Sequence, residues 1–336
     1  MDRRISVFLL AAAVLLTLWA YQPVLRGGTF VYEDDHVSQA TWTVPGRGLA
    51  QWTIHMIGPD ANRQHAVNVG IHLLTGVALY ALTSALFSPL AGALAASWHL
   101  LHPLNSEAVS YLTARGDLLV ALFSVLAAWA ALRGRAWWLL AGVTVVGSAL
   151  SKEIGLIALP LVVVTVALWR PYRASGFVVQ GLWCALGIVV GAAGLRITSW
   201  FTLTASGLSW PEFASLQNVA LWHLLALIPW PVGLSIDHDV VALSVGVQAL
   251  AWTLTATAAG VTVWAWKRYP VVAWAIAWTA VAVAPRLVFS TDEFLHEYYL
   301  YPATVGISAA IGVGLARLCK ETKGVPNVQI SPNACA

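Results

Sequence analysis

Apolar runs of up to about 20 residues, broken by short polar stretches, recur from residue 5 to beyond residue 310, and this spacing constrains the fold more than any other feature of the chain. A backbone surrounded by lipid must satisfy its own hydrogen bonds, so runs of this length fold as helices. With 59% of residues hydrophobic and only 10% charged, a soluble core is excluded. A mean hydropathy of +0.74 fits an all-α integral membrane protein with a polytopic helical bundle. The net charge of +3 is scattered, without a basic run or aromatic ladder to follow a phosphate backbone, so nucleic acid is not an expected partner. Cys184, Cys319 and Cys335 have neither metal-ligand spacing nor a disulfide pattern.

The chain opens with Asp2-Arg3-Arg4 and an apolar run from Ile5 to Ala20. Leu18, Trp19 and Tyr21 crowd the place where a cleavage site needs small residues, so this first helix is expected to be retained. Further spans are expected at 65–87, 90–102, 117–132, 136–150, 154–169, 176–195, 240–266, 271–288 and 299–316. The stretch 215–234 is interrupted by Pro229 and Pro231 and is read as re-entrant or surface-lying. About ten spans result, or eleven if that stretch crosses. An even count puts both termini, with Arg3, Arg4, Arg133, Arg135, Arg170, Arg173, Lys267, Arg268, Arg317, Lys320 and Lys323, on the cytoplasmic side, as the positive-inside bias requires. Trp19, Trp137, Trp138, Trp169, Trp200 and Trp266 stand beside segment ends, where an indole ring favours the bilayer interface. The expected organisation is one transmembrane domain over 1–320 and a short polar cytoplasmic tail over 321–336.

That topology gathers the acids, bases and hydroxyls on the outer face. Asp34 and Asp35 follow the first span; neighbouring carboxylates raise each other's proton affinity or share a cation, although a solvated acidic loop has the same sequence. His99, His102, Asn105, Ser106 and Glu107 flank a helix break at Pro103, where Asn105 and Ser106 also read as caps. Arg115 and Asp117 pair with each other, or the arginine holds a phosphate. Ser151-Lys152-Glu153 lies between two apolar runs, where charge is costly; it is a self-neutralised pair or a phosphate-binding lysine. His65, Asn68 and His72 share one helix face as polar glue or substrate contacts. Gly187, Gly191 and Gly194 read as helix-packing positions. Asp237-His238-Asp239 marks a further outer loop, and Asp292, Glu293, His296, Glu297, Tyr298, Tyr299 and Tyr301 form a late aromatic rim.

Six of these stretches carry a resemblance: Phe30-Val31-Tyr32-Glu33-Asp34-Asp35-His36, His65-Ala66-Val67-Asn68-Val69-Gly70-Ile71-His72, His102-Pro103-Leu104-Asn105-Ser106-Glu107-Ala108-Val109, Ala114-Arg115-Gly116-Asp117-Leu118-Leu119, Ser151-Lys152-Glu153-Ile154-Gly155 and Glu297-Tyr298-Tyr299-Leu300-Tyr301. In this order, over residues 30–315, they resemble the membrane half of the transmembrane and TPR repeat-containing protein O-mannosyltransferases, members of the GT-C class of lipid-dependent glycosyltransferases. Two departures stand out. The relatives continue into TPR arrays, which are not expected here after the last span, and they tend to carry Arg where Tyr298 stands, with Arg286 as the expected substitute.

The resemblance implies a GT-C helical bundle whose first outer loop carries the catalytic aspartate, Asp34 or Asp35. A sugar, mannose in the relatives, would pass with inversion from a polyprenyl-phosphate donor to a protein or glycan hydroxyl. Arg115, Lys152 and His102 are the expected phosphate ligands, Glu107 a positioning group, and Asp117, Glu153, His65, Arg286 and Tyr298 further substrate contacts. No cofactor is required, a divalent cation is optional, and the expected site is the extracytoplasmic face of a bacterial-type inner membrane. The competing expectation is a non-catalytic GT-C-like subunit scaffolding a larger membrane assembly. A transporter fits less well, because the ionisable residues cluster at one face.

Overall fold

The structure, a computed structural model, describes residues 3–29, 34, 47–133, 137–169, 209–235, 238, 244–288 and 296–321. Asp35 and its neighbours in the first loop, the expected span at 176–195 with Cys184 and the three packing glycines, Asp237, Asp239, Asp292, Glu293 and the tail with Cys335 all lie outside the described residues.

The described residues are helical, without a strand. In chain order the helices are α1 (Arg3–Ala20), α2 (Gln22–Gly27), α3 (Gly48–Ile57), α4 (Ala61–Leu86), α5 (Pro89–Leu101), α6 (Ser106–Ser110), α7 (Arg115–Arg133), α8 (Trp138–Ser151), α9 (Ala158–Trp169), α10 (Trp210–Ala226), α11 (Val245–Arg268), α12 (Pro270–Val288) and α13 (Tyr301–Glu321). Short 3-10 turns at Pro103–Asn105, Leu112–Ala114, Glu153–Ile157 and Glu297–Leu300 lead into several of them. Local chemistry fixes the starts. Asp60 accepts from the Arg63 amide at 2.9 Å, and Ser88 accepts from Ala91 at 3.2 Å with Pro89 in the first turn. Ser209 and Glu212 form a capping box ahead of α10.

Among the described residues five helices are long and apolar enough to cross a membrane: Arg3–Ala20, Ala61–Leu86, Leu112–Arg133, Pro270–Leu287 and Glu297–Cys319. The expected count of ten is not confirmed: one expected span, 176–195, lies outside the described residues, and α5, α8 and α9 have 13, 14 and 12 residues. At about 1.5 Å per residue such helices fall short of a hydrocarbon layer of roughly 30 Å. The stretch read as re-entrant or surface-lying holds α10, which buries Phe213, Leu221 and Leu224 and ends at Ala226, before the two prolines.

Packing is that of a membrane bundle rather than a soluble core. In α1, Phe8, Leu15 and Trp19 face outward while Ser6, Ala13 and Thr17 are buried toward α5. Lipid replaces the driving force for hiding large apolar side chains, so small residues line the helix contacts. The same logic seats α13 on α5. A Cβ added at Gly312 would lie 2.5 Å from both the Ala91 carbonyl oxygen and the Ala95 nitrogen, an approach only glycine allows. The Leu112–Arg133 span forms the centre, 83% buried, flanked by α4, α8 and α9. Not every tryptophan is an interface anchor: Trp274 and Trp278 are fully buried, donating to Thr165 Oγ1 at 2.9 Å and to the Pro302 carbonyl at 3.0 Å.

Antiparallel succession brings the starts of α4, α7 and α13 and the ends of α5, α8 and α12 to one end of the bundle. The polar residues singled out from the sequence collect there. Short α3, with Ala50 and Ile54 turned inward and Trp52 and Met56 outward, packs against α7 and α8.

Candidate active site

Asp117, in the first turn of α7, is the centre of a buried charge cluster. Its Oδ2 accepts from Lys152 Nζ at 2.5 Å, and its Oδ1 lies 3.7 Å from Arg286 Nη2 at the end of α12. Gly116 makes this possible, because a Cβ there would stand 3.1 Å from the Ser151 carbonyl oxygen and 3.2 Å from Lys152 Cβ. The helix start therefore presses directly on the turn that carries the lysine. Both cations also lie over aromatic rings of the late turn: Lys152 Nζ is 5.0 Å from the centroid of Tyr298, and the Arg286 guanidinium is 3.5 Å from that of Tyr299. Beside them Arg47 grips Glu153 with two bonds of 3.0 and 2.8 Å.

Charges adjacent in sequence thus take different partners. Lys152 does not neutralise Glu153, and Arg115 does not pair with Asp117. Among the described residues the ensemble sets Arg47, Lys152 and Arg286 against Asp117 and Glu153, with cation in excess. Burial, only partly offset by Asp117, pushes the Lys152 ammonium down to about 8. Burial also opposes the Arg47 charge, but the bond to Glu153 outweighs it and holds the guanidinium above its usual range. Among the described residues Arg286 Nε and Nη2 are buried and make no hydrogen bond. Leaving such donors unmade costs on the order of 1–3 kcal/mol, and an anion seated beside them would recover it.

Around this cluster the structure places the remaining expected site residues. Asp34 is fully buried and caps the central span, its Oδ1 accepting from the Thr113 amide at 3.1 Å and hydroxyl at 3.2 Å. The Leu112 amide reaches Oδ2 at 3.4 Å. The chain leading to it is tied to the start of α4: the Gly28 amide donates to Asn62 Oδ1 at 3.1 Å, and His65 Nε2 lies 3.2 Å from the Thr29 carbonyl. Arg115 turns away from Asp117 into the bundle and donates to Asn68 Oδ1 at 2.7 Å and to the Gln64 carbonyl at 2.9 Å. Asn68 in turn donates to the Val109 and Tyr111 carbonyls, which makes it the joint between α4, α6 and α7.

His102 caps the Pro103–Asn105 turn. Its Nδ1 accepts from the Leu104 amide at 3.2 Å, so Nε2 donates to the Ile228 carbonyl at 2.9 Å, and burial lowers its proton affinity. Both nitrogens are spent on backbone. Glu107 accepts from the Tyr298 amide at 2.8 Å and faces His296 Nδ1 at 3.4 Å; burial raises its proton affinity against those bonds. The structure therefore brings together Asp117, Lys152, Glu153, Arg286, Tyr298 and Glu107, with Arg115, His102 and His65 around them, Arg115 Nη1 and His65 Nδ1 buried without a hydrogen bond among the described residues.

Two participants escaped the sequence reading. Arg47 lies between glycines in the first outer loop with no periodic partner, and its salt bridge joins residues 106 positions apart. The second is the pairing of His238 Nε2 with Glu297 Oε1 at 3.1 Å, which joins two outer loops. No group of three metal-binding side chains occurs among the described residues.

No family model and no curated protein matches this chain. Its fold is similar to that of the archaeal oligosaccharyltransferase AglB from Archaeoglobus fulgidus in complex with an inhibitory peptide and a dolichol-phosphate, with a TM-score of 0.50 and 15% identity over 96% of this chain and 52% of that one. The apo oligosaccharyltransferase of Archaeoglobus fulgidus superposes with a TM-score of 0.48 and 12% identity over 97% of this chain and 53% of that one. The chain spans about half the length of these solved structures. The likeness is one of fold alone. The narrower resemblance to protein O-mannosyltransferases rests on the sequence motifs alone.

Proposed function

We propose that this chain is a membrane glycosyltransferase that moves one sugar from a polyprenyl-phosphate carrier to a protein or glycan hydroxyl. The observation that carries the reading is the buried excess of cations, Lys152 and Arg286 around Asp117 with Arg47 beside them, at the same bundle end as the Asp34 carboxylate. A lipid-linked sugar phosphate enters from the bilayer with one negative charge and leaves as a phosphomonoester with up to two. Fixed cations in a dry site stabilise that developing charge far better than water does. The likeness to a protein solved with a dolichol-phosphate supports a lipid-linked donor.

In the proposed step the acceptor hydroxyl loses its proton to a carboxylate of the first loop, Asp34 or Asp35, and its oxygen bonds to the anomeric carbon with inversion. The bond from that carbon to the phosphate oxygen breaks, its electron pair passes to the phosphate, and polyprenyl phosphate departs. Lys152 and Arg286 hold the phosphate, Tyr298 and Tyr299 flank it, and Glu107 fixes the turn that carries those rings. Mannose is the proposed sugar, by the motif resemblance, and the extracytoplasmic face of an inner membrane is the proposed site.

The test is release of polyprenyl phosphate from radiolabelled polyprenyl-phosphate sugars by purified protein, with membrane lysate supplying acceptors. Release by wild type that is lost in Asp34→Asn/Asp35→Asn, at equal folding, is the expected result. No release with any donor from folded protein would overturn the reading in favour of a non-catalytic subunit.

A further inference from the structure

We propose that the end of α11 holds an anionic glycerophospholipid by its phosphate. The helix closes on Val263-Trp264-Ala265-Trp266-Lys267-Arg268. A groove of about 470 Å³, within the size range of small-ligand sites, is lined there by Val263, Trp264, Trp266, Lys267 and Arg268. Both cations are exposed, and among the described residues neither makes an ion pair. No Asp or Glu occurs between Asp239 and Asp292, so neighbouring sequence supplies no counter-charge. The helix C-terminus favours cations, but its partial charge of about one half leaves most of the pair unbalanced.

Position makes a lipid the fitting occupant. In α11 only Ala251 and Ala265 are buried, while Val247, Leu250, Leu254, Val263 and Trp264 are exposed, so the helix runs along the rim of the bundle where acyl chains lie. Tyr269 joins it to α12, and Arg286 of the candidate site stands 16 residues beyond Pro270 on that helix. At about 1.5 Å per residue this is roughly 24 Å, close to the thickness of the hydrocarbon layer, which puts the groove at the opposite membrane interface. Its aromatic members suit that level. The Trp264 ring, 55% exposed, lies 5.3 Å from the Tyr269 ring and 5.9 Å from the Arg268 guanidinium.

Charge and shape together choose the ligand. Two adjacent cations match a phosphodiester at headgroup level, and Val263 and Trp264 offer the attached chains an apolar wall on the membrane side. A soluble phosphate would gain from the cations alone. A zwitterionic lipid would bring its own cation against Lys267 and Arg268. Each lysine or arginine beside an anionic lipid surface gives about a fivefold gain in affinity, so the two give about 25-fold. The groove shares no residue with the Asp117 cluster, and the proposal stands independently of sugar transfer.

The experiment is native mass spectrometry of the purified full chain in micelles holding phosphatidylglycerol and phosphatidylcholine with identical acyl chains at equal concentration. Wild type is expected to retain phosphatidylglycerol about 25-fold over phosphatidylcholine, and Lys267→Gln/Arg268→Gln should lose one such lipid. The charge-keeping exchange Lys267→Arg/Arg268→Lys should keep it, and so should Arg317→Gln, which removes an exposed cation near the end of α13, outside the groove. The proposal is overturned by an absence of preference in wild type, by an unchanged lipid count in the double Gln variant, or by the same loss in the exchange or in Arg317→Gln. Displacement of the lipid by inorganic phosphate would mark a free-anion site instead. Tighter retention of polyprenyl phosphate, lost in the same double variant, would give the groove to the carrier lipid and equally overturn the choice of a phospholipid.

Discussion

Lys152 shows what a single residue can reveal from sequence and what it cannot. An ammonium between two apolar runs is costly enough to announce a purpose, and Asp117, Glu153 and Arg286 announce themselves the same way. Their partners were not legible, because the pairs join residues 35 and 106 positions apart and depend on which helix faces meet. His102 carried the same signal of cost but spends both ring nitrogens on backbone, and Arg115 spends Nε and Nη2 on Asn68 and the Gln64 carbonyl. With its proton held down at about 8 by burial, Lys152 gives a signed prediction. Polyprenyl phosphate affinity should weaken as pH rises above about 8, approaching tenfold per unit, because the lysine then arrives uncharged. The stability of the empty protein should move the other way. Between about 8 and 10.5 the unfolded chain binds the lysine proton more than the folded chain does, so folding gains as pH rises through that window. Titrating binding and thermal unfolding across this range in wild type and Lys152→Met checks both signs; an equally steep loss of affinity in the variant would exclude Lys152 as the titrating ligand.

Helices were the most legible elements, since lipid leaves the backbone no alternative, and most boundaries fall within a few residues of the apolar runs. Span number was less legible, and the expected span at 176–195 lies outside the described residues. Helices such as α8, with 14 residues, are apolar throughout yet too short to cross alone, and hydropathy does not distinguish a short packed helix from a full span. Which faces meet was equally hidden, because in lipid the contact face is marked by small residues rather than large apolar ones. Gly312 is such a mark. Gly312→Val would push α13 off α5 and should cost about 1–3 kcal/mol, read as a lower unfolding temperature in detergent. Gly314, where an added Cβ meets nothing within 4 Å, is the control, and Gly314→Ala should stay within about 0.5 kcal/mol of wild type. Equal losses at both positions would mean that helix propensity, not the α5 contact, sets the cost.

At the scale of the whole molecule, the separation of charge types gives a direction to the bundle. Acids, histidines and buried cations collect where α4, α7 and α13 begin, whereas Arg133, Lys267, Arg268 and Arg317 lie at the opposite helix ends. Retained arginine and lysine mark the cytoplasmic side, so the candidate site should face outward. Thiol labelling tests this with few changes to the chain. Cys319, exposed near the end of α13, should react with a membrane-impermeant maleimide only after the cells are opened, in a variant whose Cys184 and Cys335 are replaced by Ser. Met56→Cys on α3, a residue 69% exposed at the site end, placed in a background also lacking Cys319, should react in intact cells. The reverse pattern would turn the bundle over and put the phosphate cluster on the cytoplasmic side. Donor would then have to be drawn from the inner leaflet, and an acceptor delivered from outside could not meet it.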